Sequence, residues 1–306
     1  MKYNIFSPII NKNLIKKIYV YNIMSKTCAS CLTFSMDKIT KSQPELKPRW
    51  LEEHDYVEEF IANTKNFKIR NPTKSNSKAF LEMKSCANKK ILFWASESKE
   101  HHDILVKDAK AAYGNFSNHG VAKFDKDGKV CVKFRTPQVY STIQKGKSKR
   151  QTFFHHLHFV VANQNENGWL QQIYTKLVIP VVEYSDIKHM MNHGCHVLIN
   201  TLPCAYFAKD HIPNSFNLFY KDIKKMTVLD LRAWFSEVIK LHYPKLHNYV
   251  KKNKLQIYEL PIACYCANKD CNASEMAIEE LMKKGFVNCV EFKGGMKTYR
   301  EKIKSD

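Results

Sequence analysis

The feature that most limits the fold is the alternation of short apolar runs and amphipathic segments after residue 184. Three runs are almost continuously apolar, as expected for strands buried on both faces of a parallel sheet. They span 195–200, 260–266 and 286–292. Two segments between them repeat apolar residues with the period of a helix, at 227–242 and 274–285. This order predicts a parallel α/β domain with right-handed crossovers over residues 185–306, opened by a short helix that Ser185 caps.

The residues before 185 follow a different pattern, in which predicted strands succeed one another. The predicted strands are 89–96, 152–163, one or two within 168–184, and a hairpin at 120–140 around an Asp-Lys-Asp-Gly turn. The predicted helices are 48–63 and 98–114. Such an order predicts a mainly antiparallel β, or α+β, domain over 46–184, similar to a small sandwich. Residues 1–45 are rich in Lys, Asn, Ser and Thr without a sustained period, which predicts a poorly ordered N-terminal arm.

Net charge, cysteine content and the length of the apolar runs limit the classes of function that the chain can have. The chain has 306 residues, with 49 Lys and Arg against 29 Asp and Glu, a net charge of +20. The basic residues are scattered and no nucleic-acid motif is present, which favours a solvated surface over nucleic-acid binding, while a role in binding polyanions stays open. Ten cysteines do not form the dense framework of a short secreted chain, so a cytoplasmic location is expected. No apolar run reaches the roughly 18 residues of a membrane span.

Two groups of cysteines stand out. The pair Cys28 and Cys31 is a lone C-x-x-C, without the second pair that would indicate a metal site. Three more lie within Cys264–Ser274, where a predicted strand leads into a predicted helix. A loop at this edge of a parallel sheet turns N–H groups inward and adds the positive end of a helix dipole, which binds anions and lowers a thiol pKa. We therefore expect Cys266 to be a nucleophilic thiolate that attacks sulfur or phosphorus carried by an oxyanion. Cys264, two residues earlier in the strand, is expected to be a core thiol.

Three segments, in this order, resemble a rhodanese (sulfurtransferase) domain. The first contains "DHIPNSFNLFY" (210–220), similar to the family's Gly-His-Ile-Pro-Gly-Ala and Asn-Ile-Pro runs. The second is "PIACYC" (261–266), similar to the strand that delivers the family's catalytic cysteine. The third is "ASEMAIEELMKKGFVNCVEFKGGMKTY" (273–299), similar to the closing helix, strand and Gly-Gly-aromatic turn.

The resemblance implies a sulfurtransferase mechanism. Cys266 would cleave a small sulfane-sulfur donor such as thiosulfate, carry the sulfur as a persulfide, and pass it to a thiol acceptor, with no cofactor. The persulfide would be held by an anion-binding loop. Its members would be Ala267, Asn268, Lys269, Asp270, Cys271 and Asn272.

The loop departs from the common pattern of the family. Where the family has Arg and Ser five and six residues after the cysteine, this chain has Cys271 and Asn272, and its serine is Ser274. The arginine of the related phosphatases would stand at 272, so phosphatase activity is not expected. Lys269 is the cation left in the loop to hold a sulfonate. Cys271 either resolves the persulfide as a disulfide, shields Cys266 from over-oxidation, or packs at the helix start. The alternative to an enzyme is a catalytically degenerate rhodanese fold that serves as a binding or regulatory protein.

A histidine-rich strand, "FFHHLHF" (153–159), carries the second candidate site. Alternate residues of a strand share a face, so His156 and His158 point the same way, a pairing suited to first-row metals. Residues 114–180 loosely resemble the β-sandwich of intradiol ring-cleaving dioxygenases, which bind ferric iron through two tyrosines and a His-x-His pair. The resemblance implies Tyr113 or Tyr140 as tyrosine ligands and a metal-binding, oxidoreductase-like domain fused to the rhodanese module. The alternatives are histidines hydrogen-bonded within a packed sheet, and a domain that selects a protein partner through 46–184.

Overall fold

The computed structural model describes residues 36, 39–41, 55–99, 108–143 and 150–306. Most of the predicted arm, with Cys28 and Cys31, lies outside the described residues, as do 48–54 of the first predicted helix and 100–107 of the second. The elements of the first half are β1 (Thr40–Lys41), α1 (Asp55–Asn63), β2 (Ser77–Glu82), β3 (Lys90–Ala95), α2 (Ala109–Tyr113), β4 (His119–Lys123), β5 (Lys129–Phe134), β6 (Tyr140–Ile143), β7 (Arg150–Phe153), β8 (His156–Val161) and β9 (Tyr174–Leu177).

The first half is built on a five-stranded antiparallel sheet with the strand order β1-β9-β8-β3-β4. Alternate residues of its central strands point to opposite faces and pack in two separate cores, as the two-residue period of a strand requires. Phe93 and Phe159 lie in one core, and Trp94 and Val160 lie in the other. Two further antiparallel pairs, β2 with β5 and β6 with β7, complete this half, so the predicted antiparallel β domain is confirmed.

The predicted hairpin at 120–140 is wrong, although its turn forms. The Asp125 carboxylate accepts hydrogen bonds from the N–H groups of Asp127 and Lys129, at 2.9 and 2.8 Å. Beyond the turn, β4 pairs with β3 and β5 pairs with β2. The reason is that β2 provides a partner six residues long whose buried residues alternate in step with those of β5. Strand pairing is decided by such long-range packing, which the turn residues do not encode.

The strand predicted over 152–163 is divided in two. It forms β7 and β8, with Phe154 and His155 between them. His155 turns away and donates Nδ1–H to the Pro137 carbonyl oxygen at 2.6 Å, which interrupts the strand. Within the described part of the helix predicted over 98–114, the helical residues are those of α2, whose first turn the Asp108 side chain caps.

The second half contains the elements α3 (Tyr184–His193), β10 (Val197–Asn200), α4 (Cys204–Lys209), β11 (Ser215–Asn217), α5 (Tyr220–Lys225), α6 (Val228–His242), α7 (Pro244–Asn253), β12 (Ile262–Tyr265), α8 (Ala273–Lys283), β13 (Cys289–Phe292) and α9 (Gly295–Ile303). Its sheet is parallel, with the order β11-β10-β12-β13, which confirms the predicted α/β domain. Helices cover both faces, and β10, β12 and β13 are buried throughout.

Two α-helices of the second half begin with capping boxes. Thr227 and Asp230 form the one at the start of α6. Glu183 and Asp186 form the one at the start of α3, so the predicted cap, Ser185, is wrong and lies inside the first turn of the helix. Gly194, in the left-handed region with φ of 61°, ends α3.

The two halves share part of one core. Val139, Phe154 and Leu177 of the first half pack in the same buried cluster as residues of α6, α7 and α8. The buried Thr152 hydroxyl donates to the Glu259 carboxylate just before β12. The segment that connects the two halves also pairs with the second sheet, because Val181 forms a parallel bridge with Glu291 on the edge strand β13. None of the helices among the described residues has both the length and the apolar character needed to cross a bilayer.

Candidate functional site: a two-thiol centre at the end of the central strand

The candidate site lies where β12 ends and α8 begins. β12 is hydrogen-bonded to β10 on one side and to β13 on the other, so Cys266 follows a strand held on both edges. Cys264 points into the core beneath the sheet and is buried, as predicted. Residues 267–272 form the loop, and Ser274 lies in the first turn of α8.

Cys266 is buried, with 0% of its surface exposed. Its thiol donates toward the carbonyl oxygen of Cys271 at 3.3 Å, and the carbonyl oxygen of Asn268 lies 3.8 Å from Sγ. Carbonyl oxygens can only accept, so these contacts favour the protonated thiol. Burial is the main cause that raises the pKa of Cys266, and the hydrogen bonds from Ser274 oppose it in part. Burial and the two carbonyl oxygens therefore oppose the thiolate that the sequence predicts at Cys266, and its role as nucleophile stays a prediction.

Cys271 is the more acidic of the two thiols. It is partly exposed at the start of α8. Burial acts to raise its pKa, but the N–H groups of Ala273 and Ala267, the thiol of Cys266 and the charge of Lys293 together lower it. The interaction between the two thiols raises the pKa of Cys266 and lowers that of Cys271, so it favours the proton on Cys266. The start of α8 thus favours ionisation of Cys271 over ionisation of Cys266, the residue named by the prediction.

The predicted anion-binding loop is only partly formed by the residues expected. The N–H groups of Asp270 and Cys271 donate to Asn268, at 2.9 Å to its side chain and 3.1 Å to its carbonyl oxygen, so the turn itself uses them. The N–H groups that lower the pKa of the two thiols belong to Ala267, Ala273 and Ser274. The other predicted members, Lys269, Asp270 and Asn272, have exposed side chains.

The structure adds a buried carboxylate that the sequence analysis missed. Ser274 Oγ donates to Glu291 Oε1 at 2.6 Å and lies 3.2 Å from Cys266 Sγ. Glu291 is 3% exposed, and burial raises its pKa, partly offset by Ser274 and Lys293. Because the Ser274 hydrogen is directed to Glu291, the Ser274 oxygen is one of three acceptors around the Cys266 thiol, together with the carbonyl oxygens of Cys271 and Asn268. The signal was available, since Glu291 is the charged residue inside the apolar run 286–292.

Lys293, and not the predicted Lys269, is the cation beside the centre. Its ammonium lies 3.5 Å from Glu291 and 3.2 Å from Glu275, and its charge acts on Cys271. Lys293 follows β13 directly, so the neighbouring strand positions it. A sequence search restricted to the loop after Cys266 could not find it.

The N-terminus of α9 fixes the other side of the loop. The N–H groups of Met296 and Lys297 donate to the carbonyl oxygens of Cys266 and Ala267, at 3.0 and 2.9 Å. Gly295 has φ of +58°, and a Cβ placed on it would lie 2.4 Å from the Cys266 carbonyl oxygen. The second glycine of the Gly294-Gly295 pair is therefore required by this close approach.

The predicted metal ligands of the first half converge. Tyr113 Oη and Tyr140 Oη are 3.0 Å apart, and each lies 3.1 Å from His156 Nε2. The ring of His158 lies beside this triangle, with its centroid 4.6 Å from that of His156 and 6.3 Å from that of Tyr113. All four side chains are buried. The four residues come from α2, β6 and β8, so the fold brings together groups that are up to 45 positions apart in sequence.

The ring nitrogens of the two histidines are oriented by their outer contacts. His156 Nδ1 lies 2.6 Å from the Phe154 carbonyl oxygen and therefore carries the proton, which leaves the Nε2 lone pair facing the tyrosines. His158 Nδ1 lies 2.8 Å from Thr175 Oγ1. Burial lowers the pKa of His156 to about 4 and that of His158 well below its ordinary value, so both rings are neutral at pH 7.

Comparison with known proteins agrees with the geometry of the second half. A family model described as the rhodanese-like domain matches residues 183–302. These residues form a rhodanese-like domain. No curated protein matches the chain. The weak resemblance of 114–180 to intradiol dioxygenases finds no support in these comparisons.

Solved structures similar to the rhodanese-like domain include two single-domain sulfurtransferases. The human protein TSTD1 is 13% identical over 41% of this chain and 98% of its own, with a TM-score of 0.31. The Saccharomyces cerevisiae protein RDL2 is 11% identical over 42% of this chain and 94% of its own, with a TM-score of 0.30. A rhodanese-related protein from Thermoplasma volcanium is 17% identical over 40% and 92%, with a TM-score of 0.27.

Proposed function

We propose that the rhodanese-like domain is a sulfurtransferase that moves sulfane sulfur through the thiol centre at Cys266. The observation that carries the proposal is the position of Cys266, at the end of the central strand of a rhodanese-like domain, with its sulfur 3.3 Å from the carbonyl oxygen of the second cysteine, Cys271. The N–H groups at the start of α8 and the ammonium of Lys293 provide the positive environment that an anionic donor and a persulfide require.

The proposed reaction uses a thiosulfate-type donor. A cysteine thiolate attacks the outer sulfur, a new S–S bond forms on the protein, and the S–S bond of the donor breaks with its electron pair leaving on sulfite. The protein then carries a persulfide. A thiol, or cyanide in vitro, attacks the outer persulfide sulfur and removes it, which regenerates the thiolate. No cofactor enters this sequence.

The proposal is tested by mixing reduced protein with thiosulfate and measuring sulfite. One sulfite per chain is expected in the absence of an acceptor, and continued thiocyanate formation is expected when cyanide is present. A double variant, Cys266→Ser with Cys271→Ser, should release none. Cys204→Ser, which removes an exposed thiol of the same domain, is the matched control and should behave like the parent. If the parent releases no sulfite from several sulfane donors, the sulfurtransferase proposal is wrong.

That negative result would favour the alternative, a rhodanese-like domain that has lost turnover and serves as a binding or regulatory module. Two observations point in that direction, namely the complete burial of Cys266 and the absence of an arginine from the loop. A protein partner would then contact the first half of the chain, within 46–184. The cytoplasmic location also stays a proposal, in keeping with a centre that needs reduced thiols.

We propose as a second function that the first half binds a first-row metal ion through His156, His158, Tyr113 and Tyr140. The observation in its favour is the triangle of Tyr113 Oη, Tyr140 Oη and His156 Nε2, with sides of 3.0–3.1 Å. Ligand atoms that share one such ion at about 2.0–2.2 Å lie about 3 Å from one another. Neutral imidazoles oriented through Nδ1 and phenol oxygens suit ferric iron, with zinc or copper as alternatives. Bound iron would supply redox or Lewis-acid chemistry to an oxidoreductase-like domain.

Metal analysis of protein purified without an affinity tag tests this second proposal. About one equivalent of metal is expected in the parent. An iron–tyrosinate pair would also give a visible charge-transfer colour. Tyr113→Phe and Tyr140→Phe should each weaken that colour and lower the metal content. Tyr174→Phe is the matched control, because Tyr174 lies on β9 and stacks on Phe159 outside the triangle. Metal content that is low in the parent, even after incubation with ferrous, zinc and cupric salts, would contradict the proposal.

A further inference from the structure

We infer that the two cysteines of the centre act in series, with Cys271 as the thiol that first receives sulfur from the donor and Cys266 as the internal acceptor that releases it as sulfide. The inference rests on the proposed sulfurtransferase function and reverses the expected order of the two residues. It makes the rhodanese-like domain a reductive sulfurtransferase, which converts a sulfane donor to sulfide at the expense of its own dithiol.

Exposure sets the order in which a donor meets the two sulfur atoms. Cys271 is partly exposed at the start of α8, whereas Cys266 is 0% exposed beneath the loop. An in-line attack needs the donor sulfur in contact with the nucleophile, and without loop movement that contact is available at Cys271. Lys293, whose side chain is 33% exposed, lies on the same side and can pair with the sulfonate end of the donor.

The hydrogen-bond directions assign different roles to the two sulfur atoms. The N–H groups of Ala267 and Ala273 lower the pKa of Cys271, which lies just before the N-terminus of an eleven-residue helix, so a thiolate or persulfide is favoured there. Cys266 Sγ faces the carbonyl oxygens of Cys271 and Asn268, which disfavour a negative charge. A persulfide anion is therefore better placed on Cys271 than on Cys266.

Ser274 and Glu291 provide a route for the proton of Cys266. Ser274 Oγ lies between Cys266 Sγ, at 3.2 Å, and Glu291 Oε1, at 2.6 Å. When Cys266 reacts, its proton can pass to Ser274 while the Ser274 proton passes to Glu291. Burial raises the pKa of Glu291, which makes this carboxylate a better proton acceptor than an exposed glutamate.

The proposed reaction has two steps, a sulfur transfer from the donor to Cys271 and an internal exchange that forms the Cys266–Cys271 disulfide. In the first, the Cys271 thiolate attacks the outer sulfur of thiosulfate, the S–S bond of thiosulfate breaks, and sulfite leaves. In the second, Cys266 loses its proton toward Glu291 and attacks Sγ of Cys271, a Cys266–Cys271 disulfide forms, and the persulfide S–S bond breaks. The departing sulfur takes a proton from water and leaves as hydrosulfide, and Glu291 returns its proton to the solvent. The two thiols are oxidised, and the sulfane sulfur is reduced to sulfide. An external thiol reductant must reduce the disulfide before the next turnover.

The chain offers a direct way to locate the sulfur, because Lys269 lies between the two cysteines. Trypsin separates Cys266, in residues 255–269, from Cys271, in residues 270–283. After thiosulfate treatment the parent is expected to release one sulfite and one sulfide per chain and to yield these two peptides joined by a disulfide. Cys266→Ser should release sulfite but no sulfide and should carry one extra sulfur atom on residues 270–283. Cys271→Ser should release sulfite at least tenfold more slowly than the parent.

The outcomes separate this inference from the proposed function. If the parent releases sulfite and carries a stable persulfide on residues 255–269, without sulfide, then the protein is a sulfurtransferase and the serial order is wrong. The same conclusion follows if Cys271→Ser forms a persulfide on Cys266 at the parental rate. If the parent releases neither product, both proposals are wrong. The products of the parent show whether the two thiols act in series, and the location of the extra sulfur in Cys266→Ser decides their order. A sample of the parent quenched with acid before the disulfide forms locates the first persulfide on the same two peptides, so the inference stays testable even if a variant fails to fold.

Discussion

At the scale of single residues, the state of Cys266 is decided by groups that lie far from it in sequence. Glu291 is 25 positions away, yet it is two hydrogen bonds from the thiol through Ser274. The position of Cys266 could be predicted, because an apolar run followed by a helix start places it at the sheet edge. Its protonation could not be predicted, because it depends on which carbonyl oxygens and which carboxylate the folded loop turns toward it.

The prediction for Glu291→Gln has an activity part and a stability part. Loss of the proton acceptor should slow sulfide release by a factor on the order of 10², while the sulfite burst is unchanged. Burial raises the folded-state pKa of Glu291, so its contribution to stability is full below the ordinary value of 4.5 and is lost as pH rises through the folded value. The variant should therefore gain thermal stability relative to the parent as pH rises from 4.5 to 7.5. Sulfide release and unfolding curves at several pH values check both parts, and a difference in melting temperature that does not vary with pH would contradict the stability part.

For His156, the expected change of stability with pH has the opposite sign. Its folded-state pKa is lowered from 6.5 to about 4, so the neutral ring contributes stability above pH 6.5 that is lost as pH falls toward 4. The loss amounts to about 3 kcal/mol at most. His156→Gln keeps a buried amide but does not titrate, so it should lose less stability than the parent between pH 7 and pH 4. Urea unfolding at both pH values measures the difference, with His193→Gln, on an exposed helix end, as the control. An equal loss in parent and variant would show that His156 does not control acid unfolding.

At the scale of elements, local periodicity was sufficient where one strand leads into one helix. The runs that became β10, β12 and β13, and the helices α6 and α8, could be read from spacing because each buries a continuous stripe or face. The partner of a strand could not be read in this way. The turn at Asp125 is encoded locally, but the pairing of β5 with β2 depends on a segment about 50 residues earlier. The hydrogen bonds from the N-terminus of α9 to the loop after Cys266 could not be read from local periodicity either.

Gly295→Ala tests whether the start of α9 positions the loop after Cys266. A left-handed alanine costs about 1–2 kcal/mol, and the added Cβ would also meet the Cys266 carbonyl oxygen at 2.4 Å, which backbone movement must relieve. Gly285→Ala is the matched control, since its φ is +91° but no atom lies within 4 Å of the added Cβ. Both variants should be less stable than the parent, but only Gly295→Ala should also slow sulfite release, by about tenfold or more. Equal rates in the two variants would show that α9 does not position the loop.

At the scale of the whole molecule, the two halves are joined by a buried cluster and not by a linker alone. Phe154 follows β7, directly before the histidine strand, yet it packs with residues of α6 and α8 in the second half. Thr152 and Glu259 form a buried hydrogen bond across the same boundary. The boundary predicted near residue 184 therefore separates two sheets, whereas the packing continues across it. Composition and periodicity describe each sheet separately and do not reveal such shared packing.

Shared packing predicts that the two halves unfold together. Phe154→Ala should cost about 3–5 kcal/mol, because it leaves a cavity in the cluster that both halves line. If unfolding is cooperative, hydrogen exchange of the β8 and β12 amides should accelerate by the same factor, although β12 is in the other sheet. Phe80→Ala is the control, because Phe80 is 75% exposed on β2 and should change neither rate. Faster exchange in β8 with unchanged exchange in β12 would show that the rhodanese-like domain is stable by itself. In that case the proposed metal site and the thiol centre would belong to energetically independent units, and loss of metal would leave sulfur transfer unaffected.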